Sequence, residues 1–293
     1  MIAGPATASG RVEAALDISN YTSSVARYAA WSAGRLGTPL ELLHVFDPRA
    51  GQTAPVVGAE VDSGFDPDDP LLASLARQGA RPGEPADAPA HRLLDCSRSL
   101  LRDEFGVEPT LRVGQGGLAE TLTGLENDVR LFVIGKRGEY ADRDSSHLGS
   151  QLERVVRSVR RPLLVAGRRF RAPSRVMVAF DGSATTRKGI ESVASTPLLA
   201  GLPVTVLSVG MPTATRDANL AWAVDTLSAH GHAAEGVGRE GPVDTTIIRE
   251  AEQQGSDLLV MGAYGQSRIR HMIIGSTTTK VLRVSRLPVL LLR

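Results

Sequence analysis

The chain alternates short, mostly apolar runs with longer stretches of helical spacing. Runs rich in Val, Leu and Ile occupy residues 12–16, 40–46, 131–134 and 163–165, and again 176–180, 204–209, 258–261 and 289–292. Segments this short, apolar on both alternating faces, suit parallel strands covered by helices on two sides. Apolar positions three and four apart predict helices over 23–36, 91–105, 118–126, 187–199, 217–230 and 245–254, with Gly37 and Gly231 as stops. Weaker strands near 109–113 and 233–237 complete five in each half.

The halves repeat one another. Val12-Glu-Ala-Ala-Leu-Asp-Ile-Ser19 aligns with Val176-Met-Val-Ala-Phe-Asp-Gly-Ser183, pairing Asp17 with Asp181 at an offset of 164, which Leu42-Leu-His-Val45 and Val206-Leu-Ser-Val209 keep. The offset falls to 127 at Val133-Ile-Gly135 against Val260-Met-Gly262, then to 126 at Arg161-Pro-Leu-Leu-Val165 against Leu287-Pro-Val-Leu-Leu291. The first copy therefore carries about 37 extra residues, assigned to about 48–90, a stretch full of Pro, Gly, Ala and Asp. Such composition orders poorly, apart from a short helix at 71–78; a disordered loop and a lid over the first site both fit it. With the basic, Pro-containing stretch 168–174 as linker, the reading is two tandem domains, 1–167 and 175–293.

Composition narrows the function classes. At 42% apolar and 4% aromatic, 293 residues support two cores built from Leu, Val, Ala and Ile. A net charge of +1 gives no global pull toward nucleic acid or an anionic membrane. The one cysteine, Cys96, excludes an internal disulfide framework and suits a reducing compartment. No apolar stretch reaches the length of a membrane span, and the first sixteen residues lack the pattern of a secretion signal, so a soluble cytoplasmic protein is expected.

The candidate chemistry lies near the end of the chain. The strand ending Val260-Met261 runs into Gly262 and Gly265, and nine residues after Gly265 comes Gly275-Ser276-Thr277, which opens a helix. Strand, glycine turn and hydroxyl-rich helix start make a place where main-chain N–H groups can hold phosphate. Gly262 and Gly265 let backbone approach a ligand and permit positive φ. Open parallel sheets bind ligands beyond the carboxyl ends of strands where strand order reverses; in the order 3-2-1-4-5 that crevice lies between strands one and four. Asp181 ends strand one and Gly262 ends strand four, so both fall on that crevice. Asp181 suits ribose hydroxyls, a base amine or a metal ion, because two like charges about 4 Å apart repel by about 1 kcal/mol in water and about 4 at an effective dielectric of 20. Arg268, Arg270 and His271, between the glycines, could balance phosphate charge.

This constellation, Gly262-x2-Gly265-x9-Gly275-Ser276 with Asp181 and a closing Pro-Val-Leu-Leu strand, resembles the universal stress protein family, and both copies together resemble its tandem form. Tyr28-Ala-Ala-Trp-Ser-Ala-Gly-Arg-Leu-Gly-Thr-Pro-Leu-Glu-Leu-Leu-His-Val45 fits as well. The resemblance implies an α/β fold of two doubly wound, five-stranded parallel sheets in the order 3-2-1-4-5, binding ATP or ADP, with a requirement for Mg²⁺ left open. It implies adenine near Ser208, Val209 and Gly210, and a ligand set adding Gly182, Ser183 and Met261. It further implies pairing of the fifth strands, 163–165 with 289–292, which would make one chain a pseudo-dimer, with homodimers and a protein partner left open.

The first copy departs from the pattern. Gly135 and Gly138 are present, but ten residues separate Gly138 from Gly149-Ser150, Ile18 stands in place of Gly182, and Gln151 in place of Thr277. Glu139, Asp142 and Asp144 add negative charge to its loop. The second copy is therefore expected to bind nucleotide well, and the first, through Asp17, Gly135, Gly138, Gly149 and Ser150, weakly or not at all.

Other candidates are weaker. His230-Gly-His232 lacks a third ligand nearby in sequence, His44 reads as packed within a strand, and His147 and His271 lie in the glycine loops. Arg154, Arg157 and Arg160 share a helix face that is either solvated or meets a domain or an acidic partner. No Gly-x4-Gly-Lys-Ser/Thr loop, kinase His-Arg-Asp set or Gly-x-Ser-x-Gly elbow occurs, and no residue stands out as a catalytic base, so any ATPase activity would be slow. A nucleotide-dependent regulator leads this reading. A scaffold of the same fold without nucleotide and an adenylyl-transferring enzyme stay open beside it.

Overall fold

The computed structural model describes residues 10–46, 69–78, 83–85, 87–136, 150–263 and 275–293. Of the stretch about 48–90, expected to be a disordered loop or a lid, only 69–78, 83–85 and 87–90 are described, and residues 137–149 and 264–274 lie outside the described residues. The chain divides into two units: Met1–Arg161 with Ala166–Phe170, and Pro162–Val165 with Arg171–Arg293.

The first unit runs β1 (Arg11–Ala15), α1 (Thr22–Leu36), β2 (Leu40–Phe46), α2 (Pro70–Gln78), α3 (Ala88–Phe105), β3 (Thr110–Gln115), α4 (Leu118–Leu125), β4 (Val129–Gly135) and α5 (Ser150–Ser158). Its strands are parallel in the order β3-β2-β1-β4, with Val12 opposite both Leu40 and Leu131. Strand residues such as Val12, Ala14, Leu42 and Phe132 are fully buried, as the double apolar faces require. Helix α1 ends at Gly37, whose φ of 62° is the left-handed conformation glycine adopts without strain. Leu152, Val155, Val156 and Val159 of the α5 segment are buried while Arg154, Arg157 and Arg160 are exposed, so the spacing of three marks the outer face of an amphipathic helix.

Helix α2 exists because Asp69 caps it. One Asp69 carboxylate oxygen accepts from the N–H groups of Leu71 (3.0 Å) and Leu72 (3.3 Å) and from the Ser23 hydroxyl of α1 (2.6 Å). The segment after residue 165 is also anchored. The Ser24 hydroxyl donates to the Gly167 carbonyl at 2.6 Å, and the Phe170 ring meets Tyr28 and Phe105 edge-on, with centroids 4.8 and 5.8 Å away.

A buried charge cluster crosses the first three strands. Glu13 is fully buried and lies in register opposite Glu41. Arg11 pairs with Glu13 at 2.8 Å and with Glu41 at 3.4 Å, while Arg112 pairs with Glu41. Glu13 Oε1 is buried without a hydrogen-bond partner among the described residues. Burial, followed by the Glu41 carboxylate, pushes the Glu13 carboxyl up to about 7 against the opposing influence of Arg11 and Arg112.

The second unit holds β5 (Leu163–Ala166, of which 163–165 count here), β6 (Val176–Ala179), α6 (Ala184–Ser195), β7 (Val204–Val209), α7 (Ala214–Ala229), β8 (Ala234–Arg239), α8 (Val243–Gln253), β9 (Leu258–Gly262), α9 (Ser276–Val284) and β10 (Val289–Leu292). Strands β10-β9-β6-β7-β8 are parallel, which in chain order is 5-4-1-2-3. β5 adds to the outer edge of β10 antiparallel, with Val165 opposite Val289 and Leu163 opposite Leu291. The entry to β6 is fixed by Asp257, a buried carboxylate that accepts from Ser174 N (2.9 Å), Ser174 Oγ (2.6 Å) and Arg175 N (2.9 Å).

Candidate functional site

Register places the site residues of the second unit at one edge of its sheet. Val178 pairs with Val260, and Phe180 N donates to Leu207 O at 2.8 Å, so Phe180, Ser208 and Gly262 lie at about the same level. Asp181 projects one residue beyond, between strands β6 and β9, where the chain leaves β6 for one face and β9 for the other. Neighbouring strands are about 4.8 Å apart, so Asp181 and the end of β9 flank a single crevice.

One wall is the β6–α6 turn. Asp181 is exposed, and its Oδ1 accepts from Ser183 N at 2.9 Å and from Thr186 Oγ1 at 2.7 Å. Ser183 caps α6 by accepting from Thr186 N at 3.3 Å. The carboxylate is thus held by its own loop before any ligand arrives. Between them Gly182 has φ +75°, and a Cβ there would lie 2.2 Å from Asn219 Nδ2 of α7. Gly182→Ala should therefore cost about 1–3 kcal/mol of unfolding free energy, read as a lowered urea midpoint, through left-handed strain and displacement of Asn219.

The opposite wall joins β9 to α9. Gly275 N donates to Ala263 O at 3.4 Å, and the Thr278 hydroxyl donates to Gly262 O at 3.0 Å. These bonds bring the two ends of the 264–274 segment together. Gly275 is the N-cap of α9 and offers no side-chain acceptor to the first turn, where Ser276 is exposed and Thr277 half-buried. The first N–H groups of a helix have no intrahelical acceptor and carry the positive end of its dipole. Of the β7 residues, Ser208 is buried and Val209 half-buried, and Met261 is buried in β9. Gly265, Arg268, Arg270 and His271 lie outside the described residues.

Gly262 does not use the positive φ that a glycine permits: it is the last residue of β9, paired with Leu292 of β10, and its carbonyl is tied to Thr278. The left-handed glycine at the crevice is Gly182, demanded by the turn after β6.

The first unit repeats the geometry with different chemistry. Asp17 is half-buried beyond β1, and its Oδ1 accepts from the Ser19 hydroxyl at 2.7 Å, while Thr22 Oγ1 donates to Ser19 O at 2.8 Å and to the Asp17 carbonyl. Gly135 closes β4 and Ser150 opens α5; Gly138, Gly149 and His147 lie outside the described residues. After Gly135 comes Lys136, a buried cation, where the second copy has the fully buried Ala263. His44 occupies the position of Ser208; its Nδ1 lies 2.8 Å from Leu16 O and therefore carries the proton. Burial lowers the His44 imidazole pKa, and the Leu16 contact opposes it. His230 and His232 face the carbonyls of Thr226 and Leu202 through Nδ1, and among the described residues no cluster of three metal-ligating side chains forms.

Reading by repeats and motifs missed Thr186, Thr278, Arg187 and Asn219. The recurrence of Ser19-x-x-Thr22 as Ser183-x-x-Thr186 was the available signal for Thr186. The others act across elements and leave none.

Parallel strands in the order β10-β9-β6-β7-β8, alternating with helices along the chain, make the second unit a doubly wound α/β fold. The chain belongs to the universal stress protein family, described as "Universal stress protein family", whose profile matches residues 10–167 and 173–293. It is 34% identical over 280 residues to Universal stress protein Slr1230 of Synechocystis sp., covering 94% of this chain and 97% of that one. A universal stress protein of Archaeoglobus fulgidus, 15% identical, superposes with a TM-score of 0.64 over 97% of this chain and 96% of its own. A shorter universal stress protein, solved in complex with cAMP, is 25% identical and matches 41% of this chain over 97% of its own, with a TM-score of 0.37.

Proposed function

We propose that the second unit binds ATP or ADP between Asp181 and the N-terminus of α9, and that the bound nucleotide regulates the protein's interaction with a partner in a cytoplasmic stress response. The observation that carries this reading is the uncapped first turn of α9, drawn against β9 by the Gly275–Ala263 and Thr278–Gly262 bonds and facing the crevice flanked by Asp181. In this reading Gly275, Ser276 and Thr277 offer N–H and hydroxyl donors to phosphate, and Gly262, Gly265 and Arg268 complete the phosphate ligand set. Asp181, on the Gly182–Ser183 turn, accepts from ribose hydroxyls, and Ser208, Val209 and Met261 border the base. Micromolar affinity needs about 8 kcal/mol, and a helix end supplies about 0.3–1, or about 2 when partly buried, so several amide bonds and a base pocket must act together.

The first unit is the weaker site. Lys136, His44 and Ile18 replace Ala263, Ser208 and Gly182, so the crevice of Asp17 and Gly135 differs in charge and backbone freedom. Domains of 1–167 and 175–293 complete the proposal. No helix among the described residues is long and apolar enough to cross a membrane.

The test is direct. The natively purified full chain should release an adenine nucleotide on denaturation, detected by mass spectrometry, or bind about one ATP per chain by calorimetry. Absence of both would favour a scaffold of the same fold. Turnover of ATP to AMP and pyrophosphate would favour the adenylyl-transferring alternative.

A further inference from the structure

We infer that Arg187 and Asn219 are positioning residues that hold the Asp181 carboxylate in its nucleotide-accepting orientation; the inference rests on the nucleotide reading above. Arg187, one turn into α6, reaches back so that its Nε donates to Gly182 O at 3.3 Å. Its Nη2 donates to Asn219 Oδ1 of α7, and its guanidinium lies 4.3 Å from the centre of the Trp222 ring. Trp222 stacks on Phe180, with ring centroids 6.2 Å apart and planes inclined by 24°. Phe180 is buried and bonded to β7 through its backbone N–H.

The residues on either side of Asp181 are therefore fixed independently. Phe180 is fixed by the sheet and Trp222, and Gly182 by Arg187 together with the Asn219 side chain that its missing Cβ accommodates. Asn219 and Trp222 are three apart on α7, so one helix face supplies both contacts. An exposed carboxylate that must be ordered on binding loses affinity to that ordering, and a preformed turn avoids the loss. The first copy lacks the device: Ser23 stands at the position of Arg187 and bonds to Asp69, the residue before α2, instead, and Ile18 stands at Gly182.

The experiment is a double-mutant cycle on the full chain, with ATP affinity read by calorimetry. Arg187→Met should weaken ATP binding by about 5–20-fold when Asp181 is present, and by less than about two-fold in an Asp181→Asn background. Asn219→Ala, which keeps Arg187 and removes less packing, should follow the same pattern with a smaller factor. Arg187→Lys should not restore affinity, because a lysine lacks the planar fork that meets Gly182, Asn219 and the ring together. Fluorescence of Trp222, read against a Trp222→Phe control that leaves Trp31, should change in Arg187→Met without ligand.

Unaltered affinity in both Arg187→Met and Asn219→Ala would overturn the assignment. So would equal losses with and without the Asp181 carboxylate, which would mean that Arg187 acts on the ligand directly or on the fold at large. Failure of the unsubstituted protein to bind ATP would sink the nucleotide reading and this inference with it, whereas normal binding with additive losses would sink the inference alone.

Discussion

Gly275→Trp is expected to abolish high-affinity nucleotide binding, lowering it by at least about 100-fold while the unliganded protein keeps its thermal stability. The N-cap has φ −56° and ψ 136°, an ordinary extended conformation open to any residue, so the backbone has no reason to resist. The indole, however, would stand over the first turn of α9, where the N–H donors must meet phosphate. A hundred-fold loss is about 2.7 kcal/mol, more than the dipole of one helix end contributes when exposed, because the amide bonds are lost with it. Two measurements check it. Calorimetry should show one ATP site lost per chain. Thermal unfolding at a hundred times the wild-type Kd should show a stabilisation of about 2.7 kcal/mol in the wild type and almost none in the variant. Full stoichiometry in Gly275→Trp would contradict the placement of phosphate at α9.

The second large effect is on stability and concerns the first unit. Glu13→Gln should make unfolding stability much less dependent on pH. The Glu13 carboxyl is raised from 4.5 to about 7 in the folded chain. Below pH 4.5 it is protonated in both states, and the stability associated with holding that proton is fully present. As pH rises toward 7 the unfolded chain releases the proton and the folded chain keeps it, so stability falls; above about 7 the loss is complete. At 1.36 kcal/mol per unit, a rise from 4.5 to about 7 corresponds to a loss of about 3 kcal/mol. Glutamine cannot ionise, keeps an oxygen for Arg11 and offers an amide to Glu41. The variant should match the wild type near pH 4 and exceed it by about 2–3 kcal/mol near pH 8, measured by urea unfolding across that range. A difference that is flat with pH would show that Glu13 titrates alike in the folded and unfolded chain, and would overturn the raised value.

The apolar runs were legible wherever a strand is covered on both faces. Residues 40–46, 204–209 and 289–292 are strands from end to end, because apolar residues on both faces dominate each run and the run stops where cover stops. The outer strands β3 and β8 begin one residue later and end two residues further on than their sequence patterns suggest. Their alternate residues face solvent and carry little apolar signal. Helix ends were displaced for local reasons. The pattern over 187–199 reads as one helix. The structure starts it at Ala184, behind the Ser183 cap, and stops it at Ser195, because Pro197 holds Thr196 extended at φ −81° and ψ 129°, leaving Pro197–Leu199 as a separate 3-10 turn. Helix α7 begins at Ala214 rather than 217, where Thr213 accepts from Arg216 N.

The sequence by itself determined the duplication, the order of strands and helices in each copy, and the places of Asp181, Gly262 and Gly275 after β6, at the end of β9 and before α9, because apolar period, glycine spacing and internal repetition are properties of a line. Only the tertiary structure decided which groups hold those residues in place. Thr278 on Gly262, Thr186 on Asp181, and Arg187 with Asn219 and Trp222 around Gly182 are contacts between elements up to forty residues apart. It also decided the direction and register of the expected pairing of 163–165 with 289–292, which is antiparallel with Val165 opposite Val289. Hydrogen bonds and ring contacts of this kind depend on the distance between side chains after folding, and no periodicity along the chain encodes that distance.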